Sequence, residues 1–147
     1  MIMKAKLFAL PLAAALLSAC TATTSLRSTD PQLMTVAVND EAPLALGNPV
    51  QKTYNATSFG HYRFKATKQG MEPMYGLIPL KFNGGYLAAD ILFFAPAMFY
   101  NLREVYPYYE FDVENGVIRY KRNADDQWVS YKPTAAEQQR AKNYFLK

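Results

Sequence analysis

Cysteine and histidine, the side chains most often used as nucleophile, base or soft metal ligand, each occur once in this 147-residue chain, as Cys20 and His61. A cysteine nucleophile needs a neighbouring base to hold it as thiolate, and no histidine lies near Cys20 in the sequence. His61 lacks a second soft ligand at metal-binding spacing. Asp125-Asp126 is a carboxylate pair, but adjacent residues on a turn point apart and are solvated. Gly84-Gly85 suits a tight turn better than a phosphate cradle. The chain carries no GxSxG, HExxH, phosphate-loop or CxxC pattern. The expectation is therefore a protein that is not an enzyme, with no catalytic residue, no cofactor and no metal site.

Cys20 is set apart by its position. The chain opens Met1-Ile2-Met3-Lys4-Ala5-Lys6 and then runs from Leu7 to Ala19 without a charge. At about 1.5 Å per residue that uncharged stretch spans roughly 20 Å, short of a ~30 Å hydrocarbon core. A cationic start, a short apolar run and small residues at its end describe a signal peptide. Leu17-Ser18-Ala19-Cys20 resembles the lipobox of bacterial lipoproteins. The resemblance implies cleavage before Cys20, acylation of Cys20, and anchoring to a membrane through those acyl chains. Thr21 stands where inner-membrane retention usually shows aspartate, which implies the outer membrane, facing the periplasm. A mature domain in that compartment could form disulfides, yet Cys20 is the only cysteine.

Loss of residues 1–19 removes Lys4 and Lys6 from 16 basic residues, leaving 14 against 12 acidic ones. So small an excess argues against a nucleic-acid partner. Eleven tyrosines and nine phenylalanines supply the bulk for a small core.

The elements behind these residues read as mainly β with minor α: a small antiparallel β-sandwich or sheet, with two helical pieces. Thr21 to Pro31 is polar and aperiodic, so residues 20–31 read as a lipidated N-terminus and flexible tether, and 32–147 as a single globular domain. Met34, Val36 and Val38 alternate up to an Asn39-Asp40 turn, and Pro43 to Leu46 precedes a break at Gly47-Asn48-Pro49. In the strand from Phe59 to Thr67, Tyr62, Phe64 and Ala66 take one face; His61, Arg63 and Lys65 take the solvent face. Met74, Gly76, Ile78, Leu80 and Phe82 fall on one face of a further strand. Asn115-Gly116 predicts a two-residue type I′ hairpin, pairing Val113 with Ile118, Asp112 with Arg119, Phe111 with Tyr120 and Glu110 with Lys121. One face of that hairpin is apolar and the other carries two opposite-charge pairs. Asn123 to Asp126 makes a turn, and Gln127 to Lys132 a third strand carrying Trp128. Thr134 and Glu137 form a capping box that starts a closing helix to about Phe145.

Between these elements lies GGYLAADILFFAPAMFYNL, residues 84–102. Its Leu, Ile and Phe residues favour the bilayer by roughly 3 kcal/mol, which the about 2.5–3.5 kcal/mol cost of Asp90 cancels. Pro96 breaks a helix as well. About residues 85–102 therefore read as a broken apolar helix covering the sheet, with a place in the lipid interface as the alternative.

Two stretches resemble the PEGA-type β-sandwich domains of bacterial envelope proteins: Leu46-Gly47-Asn48-Pro49, and Tyr62 through Gly70 with its lysine-glycine turn. Gly84, Gly85 and Asp90 also resemble a feature of related lipoproteins, while Met71 departs from the aromatic residue common after that glycine. The resemblance implies a sandwich fold and supplies no catalytic residues. Two functions follow as expectations. One is a lipid-anchored, non-catalytic structural or binding module, with an envelope protein or peptidoglycan as partner. The other is a membrane-surface protein that touches lipid through residues 85–102.

Overall fold

The computed structural model describes residues 21–30, 34–55, 61–82 and 103–147. Its first strand is the main departure from expectation. Thr21–Ser28 is no tether: it forms β1, which pairs with strands on both sides. Ala22, Thr24 and Leu26 turn inward and Thr23, Ser25 and Arg27 outward, with Leu26 0% exposed. Threonine suits the pleated backbone as well as valine does. The strand is inconspicuous because only Leu26 on its buried face is both large and apolar.

The remaining strands are β2 (Met34–Val38), β3 (Leu44–Ala45), β4 (Val50–Asn55), β5 (Arg63–Lys68), β6 (Met74–Leu77), β7 (Leu80–Phe82), β8 (Arg103–Val105), β9 (Tyr108–Asp112), β10 (Val117–Lys121) and β11 (Val129–Tyr131). One helix, α1 (Ala135–Phe145), closes the described chain. The fold is mainly β with minor α. A five-stranded sheet runs β11-β10-β9-β1-β4, a four-stranded sheet β3-β2-β5-β6, and β7 pairs with β8. All pairings are antiparallel except β1 with β9, where Leu26 lies level with Tyr109.

The two larger sheets bury their inner faces against one core. Leu26, Tyr109, Phe111 and Ile118 come from one sheet, and Val36, Phe64, Ala66 and Met74 from the other. Phe64 meets Phe111 edge-on across the gap, with ring centroids 5.1 Å apart. The alternation of β2 and of β5 stands as the sequence predicts, with Met34, Val36, Val38, Tyr62, Phe64 and Ala66 all buried. The strand expected from Met74 to Phe82 is instead two. Pro79 has no N–H for a ladder, and the chain leaves β6 after Leu77 to pair again as β7 with β8.

The Asn115-Gly116 hairpin keeps its faces but not its register. Ile118 lies opposite Phe111 and Arg119 opposite Glu110, two residues away from the tight-turn pairing. A shift of two conserves which side chains face the core, whereas a shift of one would invert them. The loop is Val113 to Gly116. Asp112 takes the Asn115 backbone N–H on Oδ1 at 3.0 Å and its side-chain amide on Oδ2 at 2.8 Å. Only Gly116 has positive φ, at 64°, while a type I′ turn needs it at both central residues. The carboxylate of Asp112 thus selects the longer loop.

The helix begins where the capping box placed it. Thr134 accepts from the Glu137 backbone N–H, and Glu137 returns a bond to the Thr134 N–H at 2.8 Å. Packed along β6 and β5, α1 stacks Phe145 near Tyr75 and Tyr144 over Arg63. The expected apolar helix at 85–102, with Gly84, Gly85 and Asp90, lies outside the described residues.

Candidate functional site

The two ends of the sandwich are closed by different contacts. At the Ser28 end of β1, Lys68 points inward from β5 and is 8% exposed. A buried ammonium needs partners, and Lys68 binds Asp30 and, at 2.5 Å, Glu114. Hydrogen bonds to these two carboxylates raise its pKa above the usual lysine value. The clamp ties the ends of β1, β5 and the β9–β10 loop together.

On the outer face of the five-stranded sheet, a charge chain crosses three strands. Arg27 on β1 holds Glu110 on β9 at 2.5 Å, and Arg119 on β10 reaches Glu110 at 3.0 Å and Asp112 at 2.7 Å. Burial pushes the Asp112 carboxyl up, but bonds from Asn115 and Arg119 outweigh it and lower its pKa. Lys121, expected opposite Glu110, lies opposite Tyr108 instead and sits 4.8 Å above the Trp128 ring. Arg27 approaches that same ring to 4.5 Å. Every group here has a partner inside the protein, so the chain holds the sheet together.

The Thr21 end is built differently. Asn55 of β4 is level with Thr21, and the Tyr62 hydroxyl donates to the Asn55 carbonyl at 2.9 Å. The Ile78 N–H then bonds the Tyr62 carbonyl, and Tyr109 donates to the Pro79 carbonyl at 2.5 Å. Burial raises the pKa of Tyr109 and keeps it neutral. These bonds place His61 and the β7–β8 pair at the same end. There a hollow of about 390 Å³ opens between His61, the Leu77–Leu80 turn, Arg103 and the first turns of α1 at Glu137 and Arg140. The Tyr131 hydroxyl donates to Glu137 Oε2 at 2.5 Å. That bond, with burial, pushes Tyr131 up to about 12. Burial also opposes ionisation of Glu137, but the bonds from Tyr131 and Thr134 win and lower its pKa.

No protein-family model, curated protein or solved structure matches this chain.

The site therefore rests on its own geometry. Cys20 lies outside the described residues, but it immediately precedes the first residue of β1. His61 is exposed, as expected, but it lies two residues ahead of β5 rather than within the strand, and it lines the hollow. Asp125 and Asp126 occupy an exposed turn in which Asp126 Oδ2 accepts from the Asn123 N–H at 2.9 Å, a turn-closing role. Among the described residues, no cluster of three His, Cys, Asp or Glu side chains could hold a metal ion. Arg103, Arg140 and Phe82 were not singled out by the sequence. They are distant along the chain, and only the pairing of β7 with β8 and the placement of α1 bring them together.

Proposed function

We propose that this chain is a bacterial envelope lipoprotein: cut before Cys20, acylated there, and held on a membrane as a non-catalytic structural or binding module. The outer membrane, facing the periplasm, is the favoured location. The observation that carries the reading is Leu17-Ser18-Ala19-Cys20 behind a short cationic and apolar segment. The described strand β1, Thr21–Ser28, lies wholly on the mature side of that cut. Two or more acyl chains hold a protein firmly at about 0.8 kcal/mol per buried CH₂, where a single chain is marginal. The likeness to PEGA-type domains belongs to the same proposal. Its two motifs fall on the turn before β4 and on β5 with the Gly70 turn, where φ is 77°. An envelope protein or peptidoglycan is the proposed partner.

The test is Cys20→Ser in the full chain. Wild type is expected in the membrane fraction, shortened by residues 1–19 and heavier by its acyl chains. The variant is expected as an unprocessed or mislocalised precursor. Identical mass and identical fractionation of the two proteins would remove the proposal.

A further inference from the structure

The absence of a tether has a geometric consequence. Successive Cα atoms are about 3.8 Å apart, so an acylated Cys20 would hold Thr21 within one residue of the membrane boundary. Thr21 is the first residue of an internal strand of the five-stranded sheet, so the whole sandwich would be held there with it. The end that carries Thr21 would then lie in the headgroup layer.

That end has the chemistry for such a position. β8 lies against β1 and leads through Tyr106-Pro107 into β9, whose first residue is level with Ser25. The β7–β8 pair therefore lies on the Thr21 side. At the end of the described pair, Phe82 is opposite Arg103 and is 59% exposed, a large aromatic side chain at the surface among the described residues. Arg103 and Arg140 flank the hollow beside Pro79 and Leu80. A guanidinium fork matches the oxygens of a phosphodiester, and an aromatic ring beside it suits the boundary between headgroup and acyl chain. Lys81, next to Phe82, is already neutralised by Glu104 at 2.8 Å. Glu137, the carboxylate in the hollow, is hydrogen-bonded by Tyr131 and Thr134, and the Arg140 charge acts on it without a hydrogen bond.

We propose that the Thr21 end of the sandwich is a membrane-docking face for the bilayer that holds the acyl chains, with Phe82 entering the headgroup layer and Arg103 and Arg140 binding phospholipid phosphates. This rests on the lipoprotein reading and adds an orientation to it.

Brominated phospholipids quench tryptophan only at short range, so they report depth. The full chain is made in its native host with Trp128→Phe, and one tryptophan is introduced as Phe82→Trp or, at the far end, as Asn115→Trp. Each protein is checked for acylation by mass and reconstituted in brominated phosphatidylethanolamine–phosphatidylglycerol vesicles. Both introduced positions are exposed; Asn115→Trp gives up the side-chain bond to Asp112 and keeps the backbone one. The expected result is several-fold stronger quenching at position 82 than at 115, reduced by adding Arg103→Glu and Arg140→Glu. Acylated protein with equal quenching at both positions overturns the docking face alone. Quenching at 82 that ignores the two arginine changes overturns the phosphate contact. Protein without acyl chains overturns the lipoprotein reading, and the docking face with it.

Discussion

Leu26→Ala tests the largest departure of the structure from the sequence pattern. Leu26 is 0% exposed on the inner face of β1, level with Tyr109 on one side and Val50 on the other. Removing three buried carbons costs about 2 kcal/mol in transfer free energy at ~0.8 kcal/mol each. The void adds to that, because β1 is hydrogen-bonded to β4 and β9 and cannot move into it. Leucine truncations in such sites cost about 3–5 kcal/mol in total. The measurement is urea unfolding of the full chain, followed by Trp128 fluorescence. With a slope near 2 kcal/mol/M, a loss of about 4 kcal/mol lowers the midpoint by about 2 M at unchanged slope. Thr23→Ala is the control on the same strand. Its hydroxyl faces out and meets only the Thr53 hydroxyl at 2.9 Å, so its loss should be about 0.5 kcal/mol or less. If residues 21–28 were a tether, both variants would match wild type. A Leu26→Ala midpoint indistinguishable from that of Thr23→Ala would refute the placement of β1 in the core.

Two further outcomes follow from the packing and the cap. A Cβ at Gly76 would meet Pro133 Cγ at 2.7 Å and Phe64 Cε1 at 2.8 Å, so Gly76→Ala should cost about 1–3 kcal/mol by overpacking, measured in the same unfolding assay. Glu137 has a lowered folded pKa, so its contribution is full above the unfolded value of about 4.3 and is lost as pH falls through the folded pKa; the stability gap between wild type and Glu137→Gln should shrink as pH is lowered from 7 to 3. Its partner Tyr131 has a raised pKa, so the same bond stabilises below the unfolded value of about 10 and is lost as pH rises toward 12.

The legible parts of the fold were those with a local cause. The alternation of β2 and β5 is visible because β2 buries Met34, Val36 and Val38 and β5 buries Phe64 and Ala66 at a period of two, and the Thr134–Glu137 box is a contact between residues three apart. β1 hid behind threonines, whose small polar side chains can sit inward on a strand without marking it as apolar. Its hydrogen-bonding partners, β4 and β9, lie far away in sequence, and no local pattern announces a parallel pairing. The hairpin shows how a local rule is overruled by a neighbour. Asn-Gly favours a two-residue turn, but Asp112 offers a carboxylate that satisfies the Asn115 amide groups, and the register moves by two residues. The apolar and charged faces survive because that displacement is even.

The candidate site was less legible than the fold, for a related reason. Cys20 could be singled out because processing chemistry reads a linear segment. The hollow at the Thr21 end is assembled from β5's approach, the β6–β7 turn, β8 and α1, and none of its cations stands near another in the sequence. Arg119 and Lys121 were the cations a sequence pattern brings forward. The fold spends Arg119 on Glu110 and Asp112, and sets Lys121 over Trp128 and Tyr108. Arg103 and Arg140 sit at strand and helix positions that look like ordinary solvated surface. They acquire a shared direction only once β1 is seen to start at Thr21. On the proposed lipoprotein reading, Thr21 would thereby pick out which end of the sandwich faces lipid.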